Sequence, residues 1–167
     1  MLKMSPLLTK SLTSSLISFL GDFLVQSLTS QSYSLKRSIS FGLEALFISG
    51  PIMHYTYEFL EKKLPSDNKW NVGLQLIIDC VIMDAVYIMS SFWVTGLIQG
   101  LTYNTILKQV KRDFLGTFRA CAMGSLGVGP VEFFFFRFGN VKWRCLGVNL
   151  TDVAWNGVVS FWVSKGR

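Results

Sequence analysis

The chain has 167 residues, of which 50% are apolar, 14% aromatic and only 16% charged, with a formal net charge of +6 and a mean hydropathy of +0.41. A length of this order suits one domain, residues 1–167, but a soluble domain normally carries charge on about a quarter of its residues. The composition therefore argues against an ordinary water-soluble protein, the alternative being an all-α soluble protein with buried helices, and makes lipid the expected solvent for much of the surface.

In chain order, the first ten residues do not form a secretory signal, because the apolar pattern continues past Asp22 with no small-residue cleavage site. The stretch before Asp22 is rich in Ser and Thr and lacks acid, which gives it a transit-peptide flavour. A first helix is expected from about Pro6 to Leu28, since proline suits a first helical turn. Ser11, Ser15, Ser18, Asp22 and Gln26 recur on it at three- and four-residue steps and form one polar face. That stripe reads either as small residues admitting a neighbouring helix or as the wall of a water-filled path.

A second helix is expected from about Ser38 to Leu60, kinked at Gly50–Pro51 by the missing backbone donor. It holds Glu44 and His54, the single histidine of the chain, which has no metal partner and reads as a hydrogen-bonded structural residue. A third helix is expected from about Trp70 to Gly100. Within it, Asp79 and Asp84 lie about 140° apart on an α-helix and do not form an acid pair, while Gly96 and Gly100 form a GxxxG step that permits close helix contact. The longest stretch without Asp, Glu, Lys or Arg runs from Ala85 to Leu107 and exceeds the about 20 residues that cross a bilayer core.

Residues Thr102 to Phe114 read as a basic amphipathic helix lying at the membrane interface. A fourth long helix follows from about Leu115 to Phe138, broken in its middle by Gly124, Gly127 and Gly129–Pro130, and a last one from about Leu146 to Val163. The fold expected is an all-α integral membrane bundle of four to five spanning helices plus the interfacial helix.

The cations cluster between apolar blocks: Lys36–Arg37, Lys62–Lys63 with Lys69, Lys108 with Lys111–Arg112, Lys142 with Arg144, and Lys165 with Arg167. They read as loop charges at headgroups, so membrane lipids are the expected partners, anionic lipid such as cardiolipin among them. No stretch matches a nucleic-acid module, and no nucleic-acid partner is expected. Cys80, Cys121 and Cys145 have no metal spacing. No phosphate loop, Ser–His–Asp set or HExxH motif is present, so neither catalysis, a cofactor nor a metal is expected. The carboxylates Asp22, Glu44, Asp79, Asp84 and Glu132 would each cost at least ~2.5 kcal/mol unpaired at a bilayer centre. They need partners, for which Lys10, Arg37, Arg119, Arg137 and Arg144 are candidates.

Pro6, Gly21–Asp22 and Gln26, then Arg37, Gly50–Pro51, His54, Tyr57 and Leu60, stand in the order and spacing of a known pattern. Through them the chain resembles the Mpv-type family of mitochondrial and peroxisomal membrane proteins, which includes the twenty-two-kilodalton peroxisomal membrane protein. Asp79 also matches, although Cys80 stands where the family has Gln and Gln75 where it has Lys. The C-terminal signature has drifted: Val128–Gly129 replace Trp-Pro, Glu132 a Gln, Phe135 an Asn and Asn140 a second Pro, while Phe136, Arg144, Trp155–Asn156 and Ser160 still match.

The resemblance implies a compact multi-span bundle whose motif residues, Gly21, Asp22, Gln26, Arg37, Gly50, Pro51, His54, Tyr57, Asp79, Arg144, Trp155 and Asn156, are structural or pore-lining. It implies an organellar membrane, with the mitochondrial inner membrane favoured and peroxisomal or plastid membranes as alternatives. Family members are discussed as small-solute channels. Loss of the polar C-terminal signature and the short loops favour instead an accessory subunit of a larger, respiratory-type membrane assembly, with other membrane subunits as partners.

Overall fold

The computed structural model describes residues 5–29, 33–139, 146–147 and 153. They form α1 (Pro6–Thr29), α2 (Leu35–Glu44), α3 (Gly50–Lys63), α4 (Lys69–Ile78), α5 (Asp84–Ile98) and α6 (Tyr103–Phe138). A π-helical turn, Ala45–Ser49, joins α2 to α3, and a second, Asp79–Met83, joins α4 to α5. The described helices are thus four long rods: 6–29, 35–63, 69–98 and 103–138. Short connections make successive rods antiparallel neighbours. The first lies along the second, α2 along α5, and α6 back along α5 and α4.

The expected kink at Gly50–Pro51 takes the form of a widened turn just ahead of the proline. Pro51 has no N–H to give, and its ring would crowd the carbonyl of Phe47 in a regular α-helix. The Gly50 N–H instead reaches Ala45 O, five residues back, the spacing of a π turn. The second π turn has no proline to explain it, and nothing in the local sequence foretold it.

Two expectations at α6 are corrected. The basic segment from Thr102 to Phe114 is not a separate interfacial helix; it continues unbroken into the following residues as one helix of 36 residues. Nothing between Arg112 and Thr117 interrupts the backbone ladder, and the inward face of the segment is core. Ile106 and Val110 pack with Phe41, Ile88, Phe92 and Cys121. Nor do Gly124 to Pro130 break the helix, which runs through Pro130 at the loss of one backbone donor. At 1.5 Å per residue α6 is about 54 Å long, well beyond a ~30 Å hydrocarbon layer. The last expected helix, about Leu146 to Val163, lies outside the described residues.

Burial is inverted relative to a soluble bundle. On α1, Ser11, Ser14, Ser18, Asp22 and Gln26 are buried, while Leu8, Leu12, Leu16, Leu20, Phe23, Leu24 and Leu28 face outward. Among the described residues the buried polar side chains outnumber the buried apolar ones. In water this arrangement would expose apolar surface and desolvate polar groups, both unfavourable. In lipid the outward leucines cost nothing and the polar groups bond one another inside. The rod Lys69–Ile98 meets the length and hydropathy for a span by composition alone, with a mean hydropathy of 1.9 over its most apolar window.

The expected GxxxG contact is spent inside the chain. A Cβ on Gly96 would meet Ile106 Cγ1 at 2.7 Å, so this glycine admits α6 against α5. Gly100 has φ +85° and closes α5: its N–H bonds Leu97 O at 3.0 Å and the Leu101 N–H bonds Gly96 O at 2.9 Å, the Schellman pattern. No atom lies within 4 Å of a Cβ placed there, so only backbone strain opposes substitution. Gly100→Ala is expected to lower stability by about 1 kcal/mol in denaturant unfolding of the micelle-bound chain, and an unchanged midpoint would contradict this reading of the turn.

Candidate functional site

Three buried polar clusters tie the rods together. The first joins α1 to the start of α2. Asp22 is wholly buried, and its Oδ1 accepts from Arg37 Nε at 2.8 Å. Its Oδ2 accepts from Gln26 Nε2 at 2.7 Å and from Ser38 Oγ at 2.7 Å. Gln26 completes the knot: Nε2 reaches Ser38 Oγ at 2.9 Å and Ser34 O at 3.1 Å, and Oε1 accepts the Ser34 N–H at 2.7 Å. Gln26 sits one helical turn beyond Asp22, so both point to the same neighbour. Both oxygens of the carboxylate are thereby given donors, which a buried charge requires.

The second cluster lies toward the N-terminal end of α1 and along α3. Lys10 Nζ donates to His54 Nδ1 at 2.9 Å. An ammonium has no acceptor capacity, so Nδ1 carries the lone pair and the ring proton sits on Nε2. Glu58 Oε1 stands 3.5 Å from the same nitrogen. The rods approach closely here: a Cβ on Gly50 would come within 2.9 Å of Ser11 Cα. Gly42, two turns earlier, faces Ser15 O at 3.4 Å on the same measure. Small residues on both helices make room for the polar contacts.

The third group holds the remaining carboxylates, at two separate places. Glu44 is wholly buried and accepts from Ser90 Oγ at 2.5 Å and from Ser49 Oγ at 3.2 Å, joining α2 to α5. Tyr57 Oη donates to Asp79 Oδ1 at 2.7 Å, with its ring edge-on to Phe136 at 5.3 Å between centroids. Asp79, Asp84 and Glu132 lie within electrostatic reach of one another. The angle of about 140° expected between Asp79 and Asp84 does not apply to this backbone. It assumed 100° per residue, whereas the π turn Asp79–Met83 places the Asp84 N–H on Asp79 O, five residues back, which narrows the angle between them.

Of the residues singled out in the sequence, Asp22, Gln26 and Arg37 meet in one knot with Gly21 beside it, His54 and Gly50–Pro51 lie along one contact with α1, and Tyr57 meets Asp79. Arg144, Trp155 and Asn156 lie outside the described residues. The pairs themselves, and the roles of Ser34, Ser38 and Ser90, were not readable from sequence. Of the candidate cations, Arg37 pairs with Asp22, Lys10 with His54, and Arg137 donates to Ser66 O at 3.0 Å. Arg119 faces outward. Among the described residues no set of three or more His, Cys, Asp or Glu forms a metal site.

No family profile and no solved structure matches the chain. Individual proteins do. It is 25% identical over 161 residues to PXMP2/4 family protein 4 of Dictyostelium discoideum, covering 93% of this chain and 85% of that one. PXMP2/4 family protein 1 of the same organism is 27% identical over 159 residues, covering 93% and 77%. Peroxisomal membrane protein 2 of Bos taurus is 25% identical over 163 residues, covering 93% and 82%. These matches take in nearly the whole chain, and they agree with the inverted burial of its helices: the chain is similar to PXMP2/4 family membrane proteins over most of its length.

Proposed function

We propose that this chain is a non-enzymatic accessory subunit of an organellar membrane assembly. The reading is carried by the way its membrane-facing bundle spends its charge. Asp22 and Arg37 neutralise each other inside the chain, and Glu44 is satisfied by two serines. The outward faces of α1, α3 and α5 present apolar side chains such as Leu16, Phe59 and Leu97. Such a body offers its walls to lipid and to other apolar helices. The bovine relative is named for the peroxisomal membrane, which makes that membrane the organelle to examine first. The mitochondrial inner membrane favoured from the sequence gains nothing from the relatives' names.

A second reading, a pore for small solutes, draws on the third cluster. The π turn narrows the angle between Asp79 and Asp84, both of which feel the charge of Glu132, and rings of carboxylates line cation-selective paths. The two readings separate experimentally. Solubilised from native membranes in mild detergent, a subunit migrates within a larger assembly; migration only as a small free species would remove the first reading. A pore gives conductance after reconstitution, altered by Asp79→Asn. The subunit reading expects none.

A further inference from the structure

Glu44 is wholly buried, as Asp22 is, yet the two carboxyl groups are provided for differently. Asp22 receives a guanidinium, an amide and a hydroxyl. Glu44 meets two hydroxyls, Ser90 Oγ at 2.5 Å and Ser49 Oγ at 3.2 Å, and no charged group acts on it among the described residues. The elements packed around it explain why. On α1, residues 11–21, between Lys10 and Asp22, contain no titratable side chain, and neither does the π turn Ala45–Ser49. On α2, Arg37 is taken by Asp22, and Lys36 is exposed two turns away. On α5 the titratable residues are Asp84, six residues before Ser90, and Tyr87, and neither acts on Glu44.

The hydrogen-bond count then depends on where one proton sits. Ser90 Oγ also lies 3.0 Å from Tyr87 O. A serine hydroxyl has one proton, whereas a carbonyl and an ionised carboxylate have none. With Glu44 ionised, that one proton must serve both contacts of Ser90. Two hydroxyls would also be all that compensates a charge taken out of water, where an unpaired carboxylate instead takes up a proton. With Glu44 protonated the count closes. Glu44 Oε1–H donates to Ser90 Oγ, Ser90 donates to Tyr87 O, and Ser49 donates to Glu44 Oε2, so each contact holds one proton.

We propose that Glu44 is a proton-binding site between α2 and α5, loaded at neutral pH, with Ser90 Oγ as the acceptor of its proton. Ser90 also lines a groove of about 400 Å³ whose other walls are apolar, Met89 and Trp93 among them. The bound proton therefore lies one hydroxyl away from an apolar approach. The proposal goes beyond the subunit reading and holds equally for a pore.

The test is infrared spectroscopy of the full chain in micelles at pH 7, read as wild type minus Glu44→Gln. The expected difference is one carbonyl band of a protonated carboxylic acid and no carboxylate band. Gln keeps a donor for Ser90 and an acceptor for Ser49, so the helix contacts are preserved. Ser90→Ala leaves Glu44 in place but removes the acceptor of its proton, and should shift the same band to higher frequency. Dicyclohexylcarbodiimide, an apolar reagent that adds to protonated carboxyl groups, should label Glu44 and leave Asp22 unlabelled. In that addition the acid proton passes to a carbodiimide nitrogen as the carboxyl oxygen bonds the central carbon. Carboxylate bands in the difference spectrum, a band unmoved by Ser90→Ala, or labelling of Asp22 in place of Glu44 would overturn the proposal. So would a carboxylate band that shifts when sodium replaces choline in the buffer, which would assign the site to a metal cation.

Discussion

Asp22→Ala is expected to destabilise the bundle by about 3–5 kcal/mol, the cost of breaking a buried ion pair from one side. The carboxylate is wholly buried and receives Arg37, Gln26 and Ser38. Its removal leaves a guanidinium and two polar side chains facing an empty site between two helices. Arg37→Met should cost a similar amount, because it strands the carboxylate instead. The double variant should fall short of the sum of the two, since each single change has already broken the same interaction. Asp22→Asn keeps an acceptor for Ser38 and Gln26 and should lose less, about 1–3 kcal/mol. Unfolding of the micelle-bound chain in denaturant measures all four. Additive losses for Asp22→Ala and Arg37→Met would mean that the pair does not hold α1 to α2. Conductance reduced by Asp22→Asn without loss of stability would move this residue from helix packing to a pore wall.

The second large effect is expected at Gly50. A Cβ there would lie 2.6 Å from Ala45 O and 2.9 Å from Ser11 Cα. Both are backbone atoms, so no rotamer change relieves the contact, and either the π turn or the approach of α1 must give way. Gly50→Ala is expected to cost about 1–3 kcal/mol, in the range for overpacked cores, and Gly50→Leu more. Gly42→Ala is the internal comparison, because its nearest contact is 3.4 Å and a small movement accommodates it. Alanine gains helix propensity at both positions, so a loss at Gly42 as large as that at Gly50 would show that the close approach does not set the cost. Separation of α1 in the Gly50 variants would also loosen the Lys10–His54 contact, which heteronuclear NMR of the single histidine reports directly.

Much of the fold was legible because lipid imposes a simple rule. With apolar solvent outside, the polar stripe of α1 had to face inward, and three- and four-residue spacing was enough to find Ser11, Ser18, Asp22 and Gln26 on one face. Helix ends were legible where special residues mark them, such as Pro6 at the start of α1, whereas the cap by Asn68, whose Oδ1 accepts the Trp70 N–H at 3.0 Å, came only from the structure. The basic segment before Phe114 misled for a related reason. Its amphipathic pattern fits a helix lying on a membrane or one packed on a neighbour, and periodicity does not distinguish lipid from a facing helix.

By itself, then, the sequence determined the solvent, the class of fold and the kinship, since hydropathy, periodicity and the Gly21–Asp22 and Gly50–Pro51–His54 motifs are properties of single segments. Which charges meet was decided only by the tertiary structure. Arg37 is 15 residues from Asp22 and Ser90 is 46 from Glu44, and such pairings depend on how rods are set against one another. The angle between Asp79 and Asp84 was likewise set by a single widened turn, because one π turn rotates everything beyond it relative to the α-helical count that sequence periodicity assumes.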